Sequence, residues 1–181
     1  MSRFESWEPR DDTAARAAPP ASLEIRSAVT ADLDAIAAIE VQREGGSHVN
    51  RRARLERWQA AAAEGSKLLL VATVEGRVVA VAKAMRFAGT EPGVERGAPA
   101  GWYLSGVIVV PGQRRRAIGR ALVQARLDWL DQRTDRVFYV ANEHNRVSIA
   151  LHESFGFVER IRDVVMPGVT FEGGVGLLFE R

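Results

Sequence analysis

The sequence contains no cysteine among its 181 residues. Disulfide bonds, thiolate metal ligands and a cysteine nucleophile are therefore excluded from this stretch of chain. The histidines, which are His48, His144 and His152, do not have the spacing of metal ligands, so no metal site is expected.

Long apolar runs and an excess of one charge are also missing. No stretch approaches the roughly 18 apolar residues of a membrane span, so no membrane partner is expected. Residues 1–20 are polar and lack the apolar centre of a signal peptide, which favours a cytoplasmic location. The net charge of +2 is too small to favour nucleic acid as a partner. We expect a disordered or loosely attached segment over 1–21 and one domain over 22–181.

The most informative segment that is present runs from Gly106 to Leu122. An apolar strand pattern ends at Pro111, a basic loop follows, and a helical pattern begins near Ile118. Free backbone N–H groups at a helix N-terminus favour an anion, and the arginines of the loop add side-chain cations. The segment therefore predicts a phosphate site, although an arginine run is also typical of a solvated surface.

Other phosphate-binding and nucleic-acid-binding classes fit the sequence less well. Neither G-x-x-x-x-G-K-[ST] nor G-x-G-x-x-G after a strand is present, which disfavours a nucleotide hydrolase and a Rossmann dehydrogenase. A nucleic-acid-binding module that uses the arginine run would need interleaved aromatic residues, and Arg114 to Arg116 have none nearby.

A second informative segment begins with the apolar run from Val137 to Val140, which predicts a buried strand. Asn145 is a suitable N-cap for the helix that follows, and Gly156 is suited to the turn after it.

Together the two segments resemble the GNAT superfamily of acyl-CoA N-acyltransferases. The family's central motif, V-x-P-x-x-[RQ]-[RG]-x-G-x-[GA]-x-x-L, corresponds to Val109 through Leu122. The later motif, N-x-x-[AS]-x-x-L-Y-x-x-x-G-F, corresponds to the stretch from Asn145 to Phe157. The two motifs occur in the family's order and about twenty residues apart.

The resemblance implies an α+β fold with a mixed, mostly antiparallel central sheet flanked by helices on both faces. It implies acetyl-CoA as acyl donor, no metal, and direct attack of a primary amine without a covalent enzyme intermediate. The main chain of Ile108, Val109 and Val110 would hold the pantetheine arm and the acyl carbonyl. The remaining cofactor contacts would come from Arg114, Arg115, Arg116, Ala117, Ile118, Gly119, Arg120 and Asn145.

The sequence departs from the family pattern at two positions. Ala117 stands where the first glycine is usual, and we expect a helical backbone there with a methyl group that crowds the pyrophosphate. His152 stands where most members carry the tyrosine that is assigned as acid for the leaving thiolate. His152 is therefore the candidate acid, and the alternative is a helix residue that only packs. The "LHE" triplet is similar to the phosphinothricin acetyltransferase branch.

The proton acceptor and the amine are less well defined. Glu40 is the candidate base, with Glu44 and His48 as alternatives, because this region lines the acceptor site in the family. We expect a small-molecule amine such as an amino acid analogue, an antibiotic or a polyamine. A protein N-terminus or lysine, or a non-catalytic acyl-CoA sensor, are the alternatives, and a homodimer is left open.

Local patterns also predict the main elements. Thr30 is expected to cap a first helix and Asn50 a second one. Further predictions are a strand over 23–28, a hairpin over 67–87, a strand over 102–110, a helix over 120–132 and strands over 157–165 and 175–179.

Overall fold

The computed structural model describes residues 2–4 and 18–181. Most of the segment predicted to be loosely attached, residues 1–21, lies outside the described residues. The strands are β1 (Ser2–Phe4), β2 (Leu23–Ser27), β3 (Lys67–Val74), β4 (Arg77–Phe87), β5 (Gly101–Val109), β6 (Val137–Asn142), β7 (Val158–Arg162), β8 (Val169–Phe171) and β9 (Gly176–Glu180). The helices are α1 (Leu33–Glu44), α2 (His48–Ala63), α3 (Ile118–Leu130) and α4 (Arg146–Glu153).

Seven of the strands form one sheet in the order β2-β3-β4-β5-β6-β9-β7. The pairs β2–β3, β3–β4, β6–β9 and β7–β9 are antiparallel, and β5–β6 is parallel. Strands β1 and β8 pair separately and in parallel. The prediction of an α+β fold with a mixed, mostly antiparallel sheet is confirmed.

The described residues divide into two compact units, and we call the one formed within residues 18–85 and 105–132 the cradle unit. Almost every residue of β3 in this unit is buried, so both of its faces are covered. On one face, Leu69 and Val71 pack with Leu33, Ile36 and Leu55 of helices α1 and α2. Helix α3 packs against β2 and β3.

The other compact unit lies within residues 2–4, 86–104 and 133–181, and we call it the β6–α4 unit. All six residues of β6 are buried, as predicted for this apolar run. Tyr103 and Phe138 pack ring against ring with centroids 5.1 Å apart. The edge strand β7 carries three charged residues, Glu159, Arg160 and Arg162, which suits a strand with one unpaired side. The prediction that 22–181 forms a single domain stays a prediction.

Two predicted helix caps are wrong. Thr30 belongs to a 3₁₀ turn, and the carboxylate of Asp32 accepts the Val29 N–H at 2.8 Å, so α1 begins only at Leu33. Helix α2 begins at His48 because the Ser47 hydroxyl, not the Asn50 side chain, occupies the N-cap and accepts the Asn50 N–H at 3.5 Å. His48 is therefore a helix residue and not part of a loop.

Candidate active site

The apolar end of β5 is the first part of the candidate site. Trp102, Tyr103 and Leu104 are buried and pair with β6, and the ladder ends at Leu104. Gly106 then adopts a φ of 50°, and the apolar run Val107–Val110 is only half-buried. Apolar side chains that remain partly exposed beyond the end of the β5–β6 ladder leave apolar surface for a ligand arm. Ile108, Val109 and Val110, the predicted binding residues, lie in this run.

The arginine loop follows directly and connects β5 to α3. Val110 N–H donates to the Val79 carbonyl, and Pro111–Gln113 form one 3₁₀ turn. The Arg114 side chain is exposed and its Nε–H donates to the Val109 carbonyl at 3.1 Å. The Arg116 guanidinium is held by Gln113 Oε1 at 2.5 Å. Arg114 thus ties the loop to the end of β5, and Arg116 ties it to the 3₁₀ turn.

Helix α3 begins at Ile118, which is the position at which the central motif predicts an anion site. The hydrogen bond from Ala121 N–H to the Ala117 carbonyl, at 3.0 Å, opens the helical ladder. The amides of Ile118 and Gly119 therefore precede the first intrahelical bond, and the positive end of the helix dipole lies with them. Ile118 is also buried, which anchors this turn in the core of the cradle unit.

The expected backbone conformation at Ala117 is wrong. Ala117 is the N-cap of α3 and has φ 55° and ψ 3°, in the left-handed region. Arg115, two residues earlier, is also left-handed with φ 61°. Such a conformation costs a residue with a Cβ about 1–2 kcal/mol, and it turns successive amides toward one concave side. Strain of this kind is typical of ligand-binding loops.

The second motif forms a compact hydrogen-bonded group around Ser148 in the β6–α4 unit. Asn145 caps α4 as predicted, because its Oδ1 accepts the Ser148 N–H at 3.3 Å. The Tyr139 hydroxyl lies 2.5 Å from the Ser148 hydroxyl. The Ser148 carbonyl receives the Nδ1–H of His152 at 2.8 Å. Every polar group of Ser148 is thus engaged by Asn145, Tyr139 or His152.

His152 is buried inside this group, with 2% of its surface exposed. Its ring stacks on Tyr139 with a centroid distance of 3.7 Å and an interplanar angle of 9°. Phe157 meets it edge-on at 5.6 Å. Because the Ser148 carbonyl is an acceptor, Nδ1 carries a proton, and Nε2 is the nitrogen left to exchange one. The stack and the hydrogen bond of Nδ1 fix the orientation of the ring, which packing alone would also explain, so the acid role stays a prediction.

Glu40 lies in the cradle unit and is 1% exposed. Its carboxylate is ion-paired with Lys83 Nζ, receives Arg54 Nη2 at 2.9 Å and lies 3.5 Å from Arg51 Nη1. Burial acts to raise the pKa of Glu40, but the attraction of Lys83 and Arg54 outweighs it, so the pKa lies below the ordinary value for glutamate. A carboxylate with a lowered pKa is a weak base, and this geometry favours an ion-pair role. The base role stays a prediction.

The alternatives to Glu40 are also engaged. Glu44 pairs with Arg51 at 2.5 Å, and the His48 Nε2 lies 3.2 Å from the Asp34 carbonyl oxygen. Tyr103, on β5, donates its hydroxyl proton to the Pro99 carbonyl at 2.6 Å, and burial raises its pKa. A tyrosine with a raised pKa is not a base at neutral pH.

Two searches of the described residues bear on the kind of site. Within residues 2–4 and 18–181, no helix is long and apolar enough to cross a bilayer. The same residues contain no group of three or more histidine, aspartate or glutamate side chains placed to hold a metal ion.

Comparison with known proteins identifies the family. The profile of the Acetyltransferase (GNAT) family matches residues 33–157, which include both motifs. The chain belongs to the GNAT acetyltransferase family. It is therefore an N-acetyltransferase, as the two motifs predicted. A search of curated protein sequences found no significant match.

Several solved GNAT structures are similar to the chain. The ribosomal-protein-alanine N-acetyltransferase of Brucella melitensis is 27% identical, with a TM-score of 0.66 over 87% of this chain and 98% of that one. The phosphinothricin acetyltransferase of Sinorhizobium meliloti, solved with acetyl-CoA, is 21% identical, with a TM-score of 0.64 over 88% of each chain. The ribosomal-protein-S18-alanine N-acetyltransferase of Escherichia coli is 23% identical, with a TM-score of 0.60 over 87% of this chain and 92% of that one.

Sequence reasoning missed three residues of these groups, namely Lys83, Tyr139 and Ser148. Lys83 could have been noticed in the sequence, because it is the one charged residue in the apolar run from Val78 to Met85, two positions after Val81. Ser148 was visible only as a motif position. Its role as a shared hydrogen-bond partner depends on contacts between β6 and α4 that no local pattern specifies.

Proposed function

We propose that this GNAT enzyme transfers an acetyl group from acetyl-CoA to the primary amine of a small molecule by direct attack. The observation that carries the proposal is the strained arginine loop at the start of α3, directly after the half-buried end of β5. Acetyl-CoA supplies the acyl group as an activated thioester, so no nucleophilic side chain is required, and the sequence has no cysteine to provide one.

The proposed cofactor contacts divide between main chain and side chains. Amides near Ile118 and Gly119, together with Arg114, Arg115, Arg116 and Arg120, bind the pyrophosphate, which is a dianion that suits a helix N-terminus and guanidinium donors. The main-chain groups of Ile108, Val109 and Val110 hold the pantetheine arm. Support comes from the loop's geometry and from the acetyl-CoA that the phosphinothricin acetyltransferase structure contains.

In the proposed chemistry, His152 donates a proton from Nε2 to the leaving thiolate. A thiol has an ordinary pKa of about 8.5, and an imidazolium of about 6.5 is acidic enough to protonate its thiolate. The Ser148 carbonyl holds Nδ1–H and the stack on Tyr139 fixes the ring plane, so the orientation of Nε2 is set before the reaction. Asn145 is proposed to contact the cofactor while it caps α4.

A polypeptide N-terminus is the second candidate acceptor. It is supported by the 27% identity to the ribosomal-protein-alanine N-acetyltransferase, which extends over nearly the whole of that chain. A small-molecule acceptor is supported by the "LHE" triplet and by the similarity of fold to a phosphinothricin acetyltransferase.

A single screen tests both candidates. The purified enzyme is incubated with acetyl-CoA and with separate pools of amino acids, aminoglycosides, polyamines and peptides that begin with alanine, and thiol release is recorded. We expect turnover with one of the small-molecule pools. Turnover with the alanine peptides alone would favour the second candidate, and no thiol release with any pool would contradict the proposed function.

A further inference from the structure

The ionic group around Glu40 carries more positive than negative charge. Three cations, Lys83, Arg51 and Arg54, surround two carboxylates, Glu40 and Glu44. Glu40 and Lys83 are largely buried, whereas the Arg54 side chain is 43% exposed, so the surplus charge stands where a dissolved anion can reach it. A group that served only to join α1, α2 and β4 would need no such surplus. The surplus therefore suggests an anionic ligand.

Among the three cations, Arg54 is the one whose N–H donors are only partly used by the residues that the structure describes. Arg51 is shared between Glu40, Glu44 and the Gly45 carbonyl. The Lys83 side chain is 13% exposed and lies against Glu40. Arg54 is 43% exposed, and within the described part of the chain its one hydrogen-bond partner is Glu40, reached through Nη2. Its Nε–H and Nη1–H remain for a planar anion such as a carboxylate.

The group adjoins the apolar cluster against which the proposed acyl-binding strand also packs. Lys83 Nζ is 5.2 Å from the centre of the Trp58 ring. Trp58, Ile108 and Val110 all pack against one apolar cluster formed by α1, α2, β3 and β4. Lys83, through Trp58, and the Ile108 and Val110 side chains therefore adjoin the same apolar cluster.

We propose that Arg54, held in place by Glu40, which Lys83 fixes in turn, binds a carboxylate on the amine acceptor. This inference rests on the proposed function and makes it more specific, because it selects amino acids and related amines with an acidic group over polyamines. Glu40 is then a positioning residue that fixes Arg54 through Nη2. The positive surplus would also repel a second ammonium group on the acceptor, which adds to the discrimination.

The test compares acceptors that differ only in the carboxylate. The twenty amino acids and their amides are assayed for acetyl transfer, with spermidine as the polyamine. Binding of the N-acetyl amino acids and their amides is measured by calorimetry with coenzyme A present, so that the readout does not depend on turnover. We expect the native enzyme to prefer the acids, and Arg54→Ala to raise KM for the best acid about tenfold to a hundredfold, the worth of a charge-assisted hydrogen bond.

Matched variants distinguish a loss of carboxylate recognition from a general loss of folding or cofactor binding. Arg54→Lys should recover part of the affinity for acids that Arg54→Ala loses, because lysine keeps the positive charge but lacks the two parallel N–H donors of a guanidinium group. Arg52→Ala, two residues earlier on α2 and paired with Asp34 and Glu56, should behave like the native enzyme. The KM for amides and the thermal shift caused by acetyl-CoA should be the same in all four proteins.

Two results would overturn the inference: a native enzyme that binds or acetylates amides or spermidine as well as it does the acids, or an Arg54→Ala enzyme that keeps the native preference. Failure of the proposed function is distinct, since it would show as no thermal shift with acetyl-CoA and no thiol release with any amine.

Discussion

The ring of His152 lies 3.7 Å from the ring of Tyr139 and nearly parallel to it, and both side chains are bonded to Ser148. The stack joins His152, which stands at the family's tyrosine position on α4, to Tyr139 of the buried strand β6. Any substitution at His152 therefore changes packing as well as acid chemistry, so an alanine variant alone cannot separate the two roles.

Phenylalanine and tyrosine at position 152 separate those roles, because both preserve a stacked ring and differ by one hydroxyl group. If His152 protonates the thiolate, His152→Phe should lower kcat by roughly 100-fold or more, the scale of general acid catalysis, and His152→Tyr should recover part of it. The acetyl-CoA affinity should change little in either variant. Steady-state kinetics and thermal melts of both proteins check this. A His152→Phe enzyme with native kcat would show that the residue only packs.

The left-handed backbone at Ala117 predicts that replacing this residue with glycine will not destabilise the protein. Ala117→Gly removes about 1–2 kcal/mol of left-handed strain but gives the unfolded chain more freedom, worth about 0.5–1 kcal/mol. We expect a net stabilisation of about 0–1 kcal/mol and coenzyme A affinity at least as high as native. Gly119→Val should bind coenzyme A much more weakly, because a branched side chain enters the first turn of the anion site.

Denaturant melts and calorimetric titrations with coenzyme A measure both effects. Gly112→Ala is the control, since a Cβ at this loop position meets nothing within 4 Å. Equal affinity in the Ala117→Gly, Gly119→Val and native proteins would place the phosphates somewhere other than this loop.

The arginine loop is tested by removing two of its charges. Arg115→Ala/Arg116→Ala should weaken acetyl-CoA binding, because each charge-assisted contact is worth about 1.5–3 kcal/mol. The rise in melting temperature at a fixed acetyl-CoA concentration should shrink accordingly. Arg160→Ala/Arg162→Ala removes the same charge from β7 and should leave that rise unchanged. If the two double variants respond alike, the loop is not the pyrophosphate site.

Much of the fold was predictable because it depends on local patterns. The apolar run of β6, the Asn145 cap and the hairpin turn at Glu75 and Gly76 each follow from neighbouring residues. The short strand β8 was missed, since three residues between Gly168 and Gly173 show no periodicity. The cap of α2 was misplaced because Ser47 and Asn50 are both good cap residues and the sequence alone does not rank them.

The candidate site was only partly predictable. Motif spacing located the arginine loop, but the left-handed backbone of Ala117 contradicts the preference of alanine and follows from how the loop joins β5 to α3. The pairing of Glu40 with Lys83 joins residues 43 positions apart, and it changes a candidate base into a carboxylate with a lowered pKa. Contacts of that separation come from tertiary packing, which local propensity does not contain.

The buried pair of Glu40 and Lys83 gives the last prediction, which concerns stability and its pH dependence. Glu40→Gln leaves Lys83 buried with less compensation and should lower the free energy of unfolding at pH 7 by about 3–5 kcal/mol. Because the pKa of Glu40 is lower in the folded protein than its ordinary value of 4.5, its contribution is complete above pH 4.5 and is lost as the pH falls through the folded pKa. The difference in the free energy of unfolding between the native protein and Glu40→Gln should therefore decrease as the pH falls below 4.5.

Urea denaturation between pH 3 and 8 measures this gap. A second change, Lys83→Met, made in the Glu40→Gln background, should restore part of the stability by removing the uncompensated charge. The same variants test catalysis: if Glu40 were the base, Glu40→Gln would lower kcat for every amine, whereas an ion-pair role changes mainly stability and the KM of acceptors that contact Arg54. If the difference in unfolding free energy between the native protein and Glu40→Gln stays constant down to pH 3, Glu40 is not the group of this pair that titrates.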